Sequence, residues 1–392
     1  HRDLHSFPTR RSSDLIEAFT TNALTNEGTE QDKVHFGSAQ YTAILSPTIV
    51  NDLKFTGSYE QRPRLANSAT PGVTASTIGI FGTRNFLPTV QDDYRYQLSD
   101  SFSITRGSHT LKVGVDYNKL STSQAFGFNQ FGYFTINSSN VGQILDILSG
   151  AGSVTGRFNS SLVSYNRQIG NLIVDYGATQ MAMFAQDSWR VTPKLTLDLG
   201  VRWEGQWSPK VDSNNASLVS SVNGTLFPNN ARTDVTKIPD TLKQVMPRIG
   251  LAYNPLSNGK LVLRANTGIF YAATPLILYS GPVGNYRTPP NDVSLAITNQ
   301  SKGTVYQQFL ATGVDLGASA LGSLPVLTVE QVQKAAAYGL GADPNPFVGA
   351  STTTVATDFV NPRSYQVGVG GDYRVTGSWT VGAQFNHVNT VH

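Results

Sequence analysis

The sequence predicts an all-β protein: an antiparallel transmembrane β-barrel segment of about ten strands, with short turns at one end and long links at the other. Three observations predict it. Apolar residues recur at every second position, short and long connections alternate strictly, and aromatic residues bracket the alternating stretches.

Each strand follows from its own pattern. Leu53, Phe55, Gly57 and Tyr59 alternate with Asp52, Lys54, Thr56, Ser58 and Glu60, the period-two signature of a strand with one apolar face. Tyr94, Tyr96, Leu98, Phe102 and Ile104 form the next such face, which Asp100 interrupts. After "RGSHT" come Leu111, Val113, Val115 and Tyr117 against Lys112, Gly114, Asp116 and Asn118. Past "TPK", Leu195, Leu197, Leu199, Val201 and Trp203 oppose Thr196, Asp198, Gly200, Arg202 and Glu204. Leu261, Leu263, Ala265, Ile269 and Tyr271 follow the turn-rich "NPLSNG", and a last hairpin sets Val367, Val369 and Tyr373 before "VTGS" and Trp379, Val381, Ala383 and Phe385 after it.

Five hairpins thus close through turn residues such as Pro47, Gly107, Pro193, Gly259 and Gly377. The links between them run roughly over 62–91, 124–177, 208–244 and 272–362. Compact water-soluble domains rarely hold several structureless loops of that length, whereas outer-membrane barrels place tight turns in the periplasm and long loops outside. Trp203 lies nine residues beyond Lys194, which at ~3.3 Å per residue and ~40° tilt is a climb of roughly 23 Å, close to the ~25 Å band that aromatic girdles bracket. The girdle is assigned to Trp189, Trp203, Tyr271, Tyr373 and Trp379, and the lipid-facing strand to Leu195, Leu197, Leu199 and Val201. The competing reading makes these aromatics the core of a soluble sheet.

Composition is compatible with this class. Charged residues are 14% of 392, and no apolar run approaches the ~18 residues of a membrane helix. A net charge of +3 is too small to argue for nucleic acid, and the absence of cysteine removes disulfides and thiolate metal sites. Residues 1–15, containing "HSFPTRRSSDL", read as a translated sequencing adapter, so the barrel domain is assigned to 16–392 and the true start of the protein is expected upstream. A disordered basic leader is the plainer alternative for the same residues.

Four blocks, "MFAQDSWRVTPKLTLDLGVRWE", "MPRIGLAYNPLSNGKLVLRANTGIFY", "YQLSDSFSITRGSHTLKVGVDYN" and "NPRSYQVGVGGDYRVTGSWTVGAQFNHV", resemble the barrel of TonB-dependent outer-membrane receptors, closest to the Oar-like branch. The resemblance implies residence in the outer membrane of a Gram-negative bacterium, contact with its lipid, and energised uptake of a large or scarce solute. It also implies coupling to the TonB complex through a plug that these residues do not include. About ten strands against the 22 of plugged transporters make this an expected interior fragment. A passive porin, a surface adhesin on a similar barrel, and a soluble secreted binding protein are the alternatives.

Catalytic chemistry is not expected. The histidines, His1, His5, His35, His109, His387 and His392, are scattered singly, so no enzyme activity, cofactor or metal is assigned. "QVGVGG" at 366–371 has no helix after it and reads as a curving strand rather than a phosphate loop. Thr328 and Gln331 stand at capping-box spacing, predicting a short helix within the longest link, read as loop filler in preference to an outward ligand surface. The glycosylation-type triplets at 137, 159 and 223 are read as chance.

Overall fold

The computed structural model describes residues 22–75, 77–149, 163–211, 233–256, 258–284 and 353–391, with shorter pieces at 292–297, 309–315 and within 326–334. Residues 1–15, the triplets at 159 and 223, and His1, His5 and His392 lie outside the described residues.

Ten long strands pair as five antiparallel hairpins: β2 (Lys33–Ser46) with β3 (Ile49–Ala66), β6 (Thr89–Arg106) with β7 (His109–Ala125), β10 (Ile173–Thr192) with β11 (Leu195–Trp207), β12 (Thr241–Tyr253) with β13 (Leu261–Tyr271), and β15 (Arg363–Arg374) with β16 (Thr380–Val391). Neighbouring hairpins pair in chain order, and a short β1 (Gly28–Glu30) continues the edge formed by β2, giving one 11-stranded sheet. The sheet is open: among the described residues neither β2 nor β16 has a strand on its outer side. All five turns fall where the turn residues predict. Gly107 and Gly259 adopt φ of +61° and +67°, a left-handed backbone that only glycine enters without strain. Pairing between β12 and β13 stops at Arg248, next to Pro247, which has no N–H to offer that ladder.

The period-two pattern becomes two chemically distinct faces. One outward row runs Phe102, Val113, Ala185, Val201, Pro247 across five strands. The inward row three residues higher along β11, past the Trp203 level, runs Ser99, Asp116, Ala182, Glu204, Gln244. The outward apolar side chains are left exposed, Val113, Val115 and Val201 among them, so this sheet has no core on that side. An apolar surface of such extent marks a membrane or protein contact.

The expectation of structureless links is corrected. Several strands run past the predicted limits, so the first three links are shorter than expected, and the links carry a second sheet: β4 (Gly72–Ala75), β5 (Gly79–Phe81), β8 (Tyr133–Ile136), β9 (Val163–Gly170) and β14 (Asp292–Ile297), in the order β14-β9-β8-β4-β5. Three links contribute to it. Val73, Phe134, Ile136, Tyr165 and Phe309, with Ile144 and Ile147 of helix α1 (Val141–Ser149), form its closed hydrophobic core. β4, β5 and β8 are only three or four residues long, too short for the periodicity that betrays the long strands.

Candidate functional site

The candidate site is the inward face of the 11-stranded sheet and the mouth where the long links begin. Its side chains are polar because alternation turns every residue between two outward apolar ones to this side. One register row crosses six strands as Thr56, Gln97, Asn118, Gln180, Gln206, Thr241. Side chains along it bond laterally: Arg95 Nε donates to Asn118 Oδ1 at 3.0 Å and Asn118 Nδ2 to Gln180 Oε1 at 2.9 Å. Gln97 Nε2 donates to Asp116 Oδ2 at 2.7 Å.

Charges on this face are interleaved. Arg62 bridges Glu60 at 3.0 Å and Asp93 at 3.7 Å, and Asp93 also accepts from Thr122 and Gln91. Arg202 pairs with Glu204, and Arg264 with Asp372. Asp116, Gln180, Arg202, Glu204, Gln206 and Gln244 line a small polar cavity of about 70 Å³. Such a surface suits hydrated, polar cargo or a polar protein surface.

The mouth is partly roofed. The chain leaves β13 and turns inward through a 3-10 turn (Leu276–Tyr279) and helix α2 (Ser280–Gly284). Tyr279 packs with Val174, Tyr176 and Ala178 of β10 and with Ile238, while Leu276, Val283 and Val355 flank them. Gln206 clamps this segment: its Nε2 donates to Thr274 O at 3.1 Å and Tyr279 Oη at 3.0 Å, and its Oε1 accepts from Thr274 N at 3.0 Å. Thr274 Oγ1 donates to Asn361 Oδ1 at 2.5 Å, and Asn361 Nδ2 to Thr241 Oγ1 at 3.1 Å. Gln206, Thr274, Asn361 and Thr241 are all buried, which makes each of these bonds costly to lose.

In the links above, burial pushes the Tyr165 hydroxyl up to about 12 and raises that of Tyr133, against the hydrogen bond from Thr74. Burial lowers Arg84, and the bond from Lys334 holds the Glu330 carboxyl down.

The sequence-assigned residues fall as follows. Leu195, Leu197, Leu199 and Val201 share one face of β11, half-buried at Leu195 and Leu197 and exposed at Leu199 and Val201. Trp203 and Tyr271 are half-buried farther along the same face, and Trp203 Nε1 donates to Leu242 O at 2.8 Å. Trp189, Tyr373 and Trp379 lie near the short turns, Trp189 stacked on His109 at 5.3 Å. The capping box closes: Thr328 N donates to Gln331 Oε1 at 2.8 Å and Gln331 N to Thr328 Oγ1 at 3.2 Å. Asn137 precedes the Asn140 cap of α1, whose Oδ1 accepts from Gln143 N at 3.1 Å. Residues 366–371 lie in β15, so "QVGVGG" is strand. Two features escaped the sequence reading. The mouth network joins Gln206, Thr241, Thr274 and Asn361 from four separated places, and no local pattern marks them. The outward face also carries polar pairs: Asn51 donates to Asp100 at 2.6 Å, and His109 Nδ1 meets Asp187 Oδ2 at 2.7 Å.

No group of three potential metal ligands occurs among the described residues. A family model described as an outer membrane beta barrel domain matches residues 7–386. The TonB-dependent transporter Oar of Myxococcus xanthus is 23% identical over 290 residues, 72% of this chain and 24% of that protein. The chain therefore spans about a quarter of the length of the curated relative it matches. Among solved structures, the outer membrane transporter YddB from Escherichia coli aligns at TM-score 0.48 and 8% identity, over 90% of this chain and 33% of that one. The ferric yersiniabactin uptake receptor FyuA from Yersinia pestis aligns at TM-score 0.43 and 9% identity, over 93% and 36%.

Proposed function

Because the chain belongs to the outer membrane β-barrel domain family, we propose that it forms part of the barrel wall of a TonB-dependent receptor, through which a large or scarce solute is taken up with energy from the inner membrane. The chain resides in the outer membrane of a Gram-negative bacterium. The observation that carries the transport reading is the polar inward row from Thr56 to Thr241, continuous across six strands behind an apolar outward face. The relative that shares 23% identity bears the name of a TonB-dependent transporter, which favours the energised form. In this reading Leu195, Leu197, Leu199 and Val201 meet lipid, and Trp189, Trp203, Tyr271, Tyr373 and Trp379 sit at its two interfaces. The barrel wall has a non-enzymatic role, and its coupling to the TonB complex runs through a plug.

Passive leakage tests this. Full-length protein reconstituted in liposomes is expected to pass no small sugar, because a plug fills the lumen. Rapid sugar-driven swelling would replace the receptor by a passive porin. The gene upstream of these residues should encode a plug with a TonB box, and its absence would have the same consequence.

A further inference from the structure

Where β7, β10 and the end of β11 meet on the outward face, the sheet is hollow. Ser121, Ser123, Gly177 and Thr179 present little or no side chain there, and Tyr94 and Trp207 stand at the sides of an open concavity of about 630 Å³. Its charged lining consists of Lys119, Lys210 and Asp175. Lys119 Nζ donates to Thr179 Oγ1 at 3.2 Å, which aims the ammonium across the hollow. Both lysines are exposed, and among the described residues neither makes an ion pair. On the inward face, by contrast, Arg62, Arg202 and Arg264 are each ion-paired.

Depth places this hollow. Lys119 lies twelve residues beyond Gly107, which at ~3.3 Å per residue and ~40° tilt is about 30 Å above the short turns. That is one step beyond an apolar band of ~25 Å, at the level of headgroups rather than acyl chains. Tyrosine and tryptophan favour this level, and lysine extends its ammonium to it from an apolar stem.

We infer that this concavity binds the phosphate of an outer-leaflet glycolipid headgroup, with Lys119 and Lys210 as the cationic contacts and Tyr94 and Trp207 against the sugar and upper acyl chain. The inference rests on the reading that this face meets lipid. Small residues give the headgroup room, the two unpaired ammonium groups supply charge complementarity, and Asp175 at the rim accepts from sugar hydroxyls.

The test uses full-length protein in detergent micelles and a bis-phosphorylated diglucosamine lipid, with bound lipid counted by native mass spectrometry. Each lysine contact at such a surface is worth about fivefold. Lys119→Gln with Lys210→Gln is therefore expected to weaken binding about 25-fold, while Lys112→Gln on the inward face leaves it unchanged. The dephosphorylated lipid should bind the native protein as weakly as the phosphorylated one binds the double variant. Unchanged binding by the double variant, equal binding of dephosphorylated lipid, or full displacement by an equal concentration of inorganic phosphate would each overturn the proposal. A cysteine at position 199, labelled in the same preparation after reconstitution in vesicles, separates the two readings. Its protection from a charged maleimide together with lysine-independent binding sinks the headgroup site alone, and ready labelling sinks the lipid-facing assignment on which it rests.

Discussion

An arginine placed at Leu199 should cost less than one placed at Val201, although depth alone orders them the other way. Leu199 lies five residues beyond Lys194, about 13 Å up a strand tilted ~40°, and Val201 about 18 Å up. With β11 facing lipid as proposed, a ~25 Å band puts the first at mid-membrane, where arginine costs about 2–4 kcal/mol, and the second part-way to an interface, where the cost declines. The neighbours reverse this. Val201 pairs with Ala185 and Pro247, neither of which can meet a charge. Leu199 pairs with Asp187, whose Oδ2 engages His109 and whose Oδ1 is buried without a partner. An arginine at 199 can give that oxygen the donor it lacks, and directly coupled neighbours interact by about 0.5–3 kcal/mol.

The expected cost of Leu199→Arg is then about 1–2 kcal/mol, below the ~2–3 kcal/mol of Val201→Arg. Asp187→Asn in the Leu199→Arg background should restore the full mid-membrane cost, and in the Val201→Arg background it should change little. The assay is a double-mutant cycle on the full-length protein, from urea-driven equilibrium unfolding out of lipid vesicles. If Leu199→Arg is the costlier change and Asp187→Asn adds to it without coupling, the assignment of Asp187 as the compensating group is wrong. Costs near zero at both sites would refute the lipid-facing placement of β11 itself.

Two further predictions concern the mouth and the links. Gln206→Ala strips three hydrogen bonds from the Thr274–Tyr279 segment and should loosen it by about 2 kcal/mol; proteolysis between residues 272 and 284 of the folded full-length protein should accelerate, and unchanged cleavage would show that the clamp does not hold the segment. Tyr165, 1% exposed and with its hydroxyl raised from 10.0 to about 12, favours the neutral form in the fold, so its contribution is complete below pH 10 and is lost as pH rises through about 12. Tyrosinate absorbance should show the second sheet opening across that window, and an identical alkaline transition in Tyr165→Phe would exclude Tyr165 as its cause.

The long strands were legible because each states its pattern alone. Leu195 to Trp203 alternates without a break, and Pro193 or Gly107 fixes where the chain reverses, so hairpins and faces follow from local rules. The second sheet was not legible. Val73 to Ala75, Phe134 to Ile136 and Val163 to Tyr165 become strands by packing against one another and against Phe309 from three separate links. No segment of three or four residues carries a period. The mouth network failed for a related reason: Gln206 and Thr274 are ordinary polar residues until the chain brings them within 3.1 Å. By contrast, Thr328 and Gln331 needed only each other, and their reciprocal bonds are present.

Asp100 marks where pattern reading and physical reasoning part. In the sequence it is a flaw in the apolar face, and a flaw suggests that the strand is turned or misassigned. The register keeps it outward, opposite Leu53 and Val115, and Asn51 of the adjacent strand donates to it at 2.6 Å. His109 stands in the same relation to Asp187, stacked on Trp189 near the short turns. Asp100 and Asp187 have thus each been given a donor from a neighbouring strand. A polar group facing lipid is costly only to the extent that its hydrogen bonds go unmade, so the alternation tolerates an aspartate wherever the adjoining strand supplies a partner. Asn51 and His109 are themselves breaks in their own apolar runs. What looks like two independent errors in two strands is one cross-strand pair, and only the register reveals it.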